Sequence, residues 1–121
     1  MSKIFETKVV AVGPEAQGMI KGANMLILFG AGAPIDLAEF CFTIDNKNLT
    51  GSIHPGGKVV VDNQEYPITA VGNVVETNLS NLGHITISFD GSTEASLPGT
   101  LHIDAPNKVT VKEGTVVQFF D

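Results

Sequence analysis

Three histidines are the side chains of this chain best suited to nucleophilic or acid-base work: His54 in GSIHPGG, His84 in HITISF and His102 in GTLHID. A neutral imidazole offers a lone pair near neutral pH, and its second nitrogen can hold the tautomer through a hydrogen bond. His54 precedes Pro55, whose ring biases the residue before it towards an extended backbone. The Pro55-Gly56-Gly57 stretch spells a tight turn, and the amides of Gly56 and Gly57 could gather into a nest for phosphate oxygens. Alternation sets His84, Thr86 and Ser88 opposite Ile85, Ile87 and Phe89, and sets Thr100, His102 and Asp104 opposite Leu101 and Ile103. If those two polar faces adjoin, a paired-histidine site forms with Thr86 and Thr100 beside it. The plainer readings are a turn residue for His54 and cross-strand partners of threonine for His84 and His102.

Other chemistries fit poorly. GAGAP lacks the Lys and Ser/Thr of a phosphate-binding P-loop and the spacing of a dinucleotide fingerprint. DNKNLTGSIHPG opens like a calcium loop, but Lys47 stands at a ligand position and Gly56 where the bidentate Glu belongs, so it reads as a turn. The histidines and the single cysteine show no H-x-H or C-x-x-C spacing, so no metal and no cofactor is expected. Cys41 has no basic neighbour in sequence and reads as a small buried hydrophobe that cannot form an internal disulfide.

The net charge of -6, with only seven scattered basic residues, argues against nucleic acid and fits a basic protein partner or mere solubility. Glu6 and Lys8 interrupt the amino-terminal stretch, and no apolar run approaches membrane-spanning length. The expectation is a cytoplasmic protein that does not insert into a membrane.

The elements that must position these residues read as strands. The core palette is Val, Ile and Leu with seven Phe and no Trp, and β-branched runs alternate with turn signals. TKVVAV, NMLILF, CFTID, KVVVD, YPITAV, HITISF, TLHID, KVTV and TVVQFF are the candidate strands, and no short unit repeats along the chain. Pro67 places YPITAV at an edge or a bulge. GNVVETNLSNLG predicts a helix capped by Asn73 and Glu76, with Val75, Leu79 and Leu82 on one side and Gly83 as its stop. PIDLAEF predicts a second short helix with Asp36 and Glu39 facing solvent. The whole, residues 1–121, reads as one all-β domain, a barrel or sandwich-like barrel of short, mostly antiparallel strands with one or two short helices.

The succession GAPIDLAEFCF, GSIHPGG, YPITAVGNVVETNLSNLGHITISFDG and LPGTLHI resembles the glucitol/sorbitol-specific enzyme IIA component of the bacterial phosphotransferase system, over nearly the whole chain. The resemblance implies an all-β cytoplasmic phosphocarrier. It would take a phosphoryl group from phospho-HPr onto a histidine and pass it to the enzyme IIB part of a glucitol permease, whose membrane-embedded IIC part moves the sugar. In some members the acceptor histidine is assigned just after the CF pair; here those positions are Thr43, Ile44, Asp45 and Asn46. The acceptor then falls to His54 first, for its exposed turn, to His84 second, and to His102 as an orienting partner, with Gly56, Gly57, Thr86 and Thr100 as phosphate-binding groups. Two other readings compete: a non-catalytic barrel that binds a sugar or regulatory protein, and, more weakly, a metal-dependent enzyme built on the three histidines.

Overall fold

The computed structural model describes residues 2–106 and 109–121. Eight strands close into a barrel: β1 (Lys3–Val12), β2 (Met25–Phe29), β3 (Phe42–Ile44), β4 (Lys58–Val61), β5 (Gln64–Val71), β6 (Ile85–Ser88), β7 (Thr100–Ile103) and β8 (Val116–Phe120). Around the barrel they run β1-β3-β2-β6-β7-β5-β4-β8, and β8 returns to β1. Closure leaves no free edge, so Pro67 sits on no edge strand; it pairs with Lys58 just ahead of a bulge between Ile68 and Ala70. KVTV forms no strand over 109–111, and its Lys108 lies outside the described residues.

Among the described residues three short helices lie on the barrel: α1 (Ala16–Ala23), α2 (Ile35–Ala38) and α3 (Val75–Leu82). The predicted α3 and α2 are present. Gly83 stops α3 in the left-handed region, at φ 69°. The capping box does not form, because Glu76 turns away to accept the Ile53 amide at 2.8 Å, and no side chain caps the helix. Leu82 is exposed, while Val75 and Leu79 are buried. Helix α1 is absent from the sequence reading because Gly18 and Gly22 mask its pattern.

The missed helix belongs to a hidden duplication. In the β1/β3 ladder Val9 faces Ile44, Ala11 faces Thr43 and Val12 faces Phe42. In the β5/β7 ladder Ile68 faces Ile103, Ala70 faces His102 and Val71 faces Leu101. Each residue of the second set lies 59 positions beyond its counterpart, bulge included. The same shift carries the parallel pair Leu28/Phe42 onto Ile87/Leu101. It also carries α1 onto α3, and left-handed Asn24 onto left-handed Gly83. Two strand-helix-strand halves thus meet about a pseudo-twofold axis between the antiparallel β2 and β6. Their inward residues, Leu26, Leu28, Phe42, Ile85, Ile87, Leu101 and Ile103, form the core, each worth roughly 1.5–3 kcal/mol of burial.

Candidate functional site

His102 shows how far a histidine on a strand can be from solvent. All four residues of β7 are buried, because the 90–98 segment folds over the face that alternation marks as polar. The ring is 1% exposed, with Nδ1 2.8 Å from Asp90 Oδ1 and Nε2 3.2 Å from the Ser96 amide nitrogen and 3.1 Å from its hydroxyl. A backbone N–H can only donate, so Nε2 accepts and the proton resides on Nδ1, where it is donated to Asp90. That hydrogen bond holds the Asp90 carboxyl below the usual carboxylate range, against the smaller opposing effect of burial. Both nitrogens are committed, and His102 fastens a loop.

His54 lies at the opposite extreme. It opens a turn closed by the Gly57 amide on the His54 carbonyl at 3.1 Å, with Gly56 at φ 99° as the second corner. The Gly56 amide is spent on the Ile68 carbonyl. The phosphate nest expected from Gly56 and Gly57 therefore does not form: both amides close backbone bonds. The His54 ring is exposed, and its Nδ1 lies 3.2 Å from its own neighbour's carbonyl, Pro55 O.

His84 combines access with restraint. It follows Gly83, and the amides of the two residues close onto Leu79 and Asn78 carbonyls, so the end of α3 fixes its backbone. Across the β2/β6 ladder its Nδ1 lies 3.2 Å from the Leu28 carbonyl oxygen. The ring stacks on Phe29, with centroids 4.6 Å apart and planes inclined by 28°. A carbonyl only accepts, so when neutral the ring donates Nδ1–H to Leu28 and leaves the Nε2 lone pair without a partner among the described residues. The half-buried ring lines a cleft of about 360 Å³ with Thr86, Ile27, Met19, Leu37 and Phe40. Cys41 closes its floor; it is buried, donates to the Leu37 carbonyl, and has its thiol pKa raised by burial.

The paired-histidine site does not form. Strands β6 and β7 do adjoin in parallel, but the register places Thr86 beside Thr100 and Ser88 beside His102. His84 lies four residues back from Ser88, about 13 Å along the strand. Thr100 is 5% exposed, too buried to meet an incoming phosphoryl group, whereas Thr86 is half-buried beside His84. In the segment after the CF pair, Ile44 is a core residue, and Asp45 accepts the Thr7 hydroxyl and Lys8 amide. Leu28, Phe29, Asp90 and Ser96 escaped the sequence reading; only strand register reveals the first two, and the last two belong to a loop that folds back. Among the described residues no cluster of three or more His, Cys, Asp or Glu could hold a metal ion, and no helix is long and apolar enough to cross a membrane.

The comparisons with known proteins agree with one another. The model of the family described as "PTS system glucitol/sorbitol-specific IIA component" matches residues 4–118. The glucitol/sorbitol-specific EIIA components of Shigella flexneri and of Escherichia coli (strain K12) are each 41% identical over 119 residues, covering 98% of this chain and 96% of theirs. The crystal structure of a phosphotransferase-system IIA component from Enterococcus faecalis V583 has the same fold, with a TM-score of 0.83 at 19% identity over 97% of this chain and 100% of that one. The chain belongs to the family of glucitol/sorbitol-specific IIA components of the phosphotransferase system, the phosphocarriers of that sugar-uptake route.

Proposed function

We propose that His84 is the phosphoryl acceptor of this carrier, in place of His54, the first choice on sequence. The observation that carries the reading is the pair of restraints on one accessible ring: Leu28 fixes the tautomer through Nδ1, and Phe29 fixes the plane. The Nε2 lone pair attacks phosphorus in line, a new N–P bond forms, and the donor's N–P bond breaks with its electron pair returning to the donor imidazole. As positive charge develops on the His84 ring, its Nδ1–H bond to Leu28 strengthens. In this reading the Thr86 hydroxyl, which lines the same cleft, meets a transferred oxygen.

The donor in this reading is phospho-HPr, and the acceptor is the IIB part of a glucitol permease. The rim of the His84 cleft suits a protein partner. Leu37 and Phe40, which line it, are 48% and 37% exposed, and Ile35, Asp36 and Glu39 of the same segment are exposed as well. A partner with an apolar centre and a basic margin would cover the cleft and shield the phosphohistidine from water. The test is phosphate incorporation from phosphoenolpyruvate through enzyme I and HPr. His84→Ala is expected to lose it and His54→Ala to keep it, and the reverse result would return the acceptor to the turn.

A further inference from the structure

We propose that Ser96, His102 and Asp90 form a second reactive centre, an activated serine that takes an acyl group from a small ester. The tautomer of His102 sets the direction of its hydrogen bonds. The ring donates Nδ1–H to Asp90 Oδ1 at 2.8 Å, so Nε2 carries only a lone pair. The Ser96 hydroxyl lies 3.1 Å from that nitrogen and can bond to it only by donating. Its proton therefore points at a base, and the lone pairs of its oxygen point elsewhere. The Ser96 amide, 3.2 Å from the same nitrogen, holds the backbone of the serine against the ring. Serine on histidine on aspartate is the arrangement of a nucleophilic serine site, which is recognised by geometry and roles and not by position in the sequence.

Access and support fit the same reading. His102 is buried, whereas Ser96 is exposed and lines a cleft of about 350 Å³ with Val71, Asn73, Ala95, Leu97 and Pro98. The mostly apolar walls suit a short acyl chain. The turn after the serine is held by the Val74 amide on the Pro98 carbonyl and the Thr100 amide on the Leu97 carbonyl. The amides of Asn73 and Leu97 donate to no backbone carbonyl among the described residues. An amide next after a nucleophilic serine is a usual donor to the oxyanion of a tetrahedral intermediate. In the reaction Ser96 Oγ attacks the carbonyl carbon and its proton passes to His102 Nε2. The bond to the alcohol oxygen breaks, the leaving alcohol takes that proton, and water hydrolyses the acyl serine through the same base. The Asp90 side chain is 48% exposed, so water screens its hold on the ring and a slow reaction is expected. The duplication argues that the network is not a requirement of the fold. Counted 59 positions back, the first half has Leu37 and Thr43 where the second has Ser96 and His102, and it builds the same ladder without a hydroxyl on an imidazole.

Two probes test this on the intact protein: a fluorophosphonate, whose fluoride leaves as the serine oxygen bonds phosphorus, and 4-nitrophenyl acetate. Peptide mapping by mass spectrometry is expected to place one adduct on Ser96 and none on the exposed Ser2, Ser52 and Ser80. Ser96→Ala should lose the adduct and most of the ester turnover, and should still take up phosphate through HPr as the parent does. His102→Gln can keep hydrogen bonds to Asp90 and Ser96 but has no basic nitrogen, so it separates the base from the fastening of the loop. It should slow formation of the adduct by about a hundredfold or more, the worth of a general base. The proposal is overturned if Ser96 stays unmodified, if adducts spread over the exposed serines, or if folded His102→Gln reacts at the parent rate. Equal ester turnover by Ser96→Ala and the parent overturns it too, whether or not His102→Gln folds.

Discussion

The His84 ring lies against Phe29 at a centroid distance of 4.6 Å while its Nδ1 faces the Leu28 carbonyl, so two consecutive residues of β2 hold both the plane and the tautomer of one imidazole. Removing the stack while keeping the strand isolates the first restraint. Phe29→Ala is expected to slow phosphate uptake by about two- to twelvefold, the worth of an aromatic pair of roughly 0.5–1.5 kcal/mol. The His84 ring resonances should also lose their upfield shift. An unchanged rate would mean that the ring needs no backing from Phe29.

His102 is expected to matter for folding and not for transfer. His102→Ala strands the Ser96 amide and leaves a cavity under the 90–98 segment, at a cost of roughly 3 kcal/mol. Thermal unfolding should register that loss, while phosphate uptake per folded molecule stays near the parent value. A stable variant that cannot be phosphorylated would contradict this assignment.

The Asp90–His102 bond also predicts an acid limb in stability. The folded-state pKa of Asp90 is depressed, chiefly by the hydrogen bond from His102, so the unfolded chain binds the proton more readily. Its contribution is fully present above the ordinary carboxylate range and is lost as pH falls through that range to the folded pKa. Urea unfolding midpoints measured from pH 6 down to pH 3 should fall less steeply for Asp90→Asn, which keeps an oxygen for His102 and removes the titration. Parallel curves for the two proteins would refute the linkage.

The duplication makes a matched pair of backbone contacts. A side chain on Gly13 would run into the Ala38 and Glu39 carbonyls, and one on Gly72 into those of Pro98 and Leu97, the same positions shifted by 59. Each Gly→Ala change there should destabilise by about 2 kcal/mol or more, since neither neighbour is a flexible side chain. Gly22→Ala is the contrasting case: nothing lies within 4 Å, it sits in α1, and a gain of about 0.5–1 kcal/mol is expected. Chemical denaturation of the three variants decides the point.

Much of the barrel was legible because its strands obey a period of two. Ile85 and Ile87 face the core and Thr86 and Ser88 do not, as alternation requires. The same rule misled at β7, where Leu101 and Ile103 face inward but His102 is buried too, under a loop that no local pattern announces. The pairing of Leu28 with Ile85, which brings His84 to its carbonyl partner, is a tertiary fact set by closure of the barrel. The HPGG turn was readable as a turn, and its glycines were misread as phosphate ligands because their amides bond to Ile68 and to His54 itself. The duplication is not legible in the sequence because VAVG and TAVG introduce helices with almost nothing else in common.

Entry of phosphate at Nε2 of His84 can be read directly from the imidazole nitrogens. Phosphorylate the protein through enzyme I and HPr, then record two-dimensional imidazole ¹⁵N spectra of the parent, His54→Ala and His84→Ala. One phosphohistidine is expected, substituted at Nε2, present in the parent and in His54→Ala and absent from a folded His84→Ala. A phosphohistidine that survives in His84→Ala and vanishes in His54→Ala would contradict it.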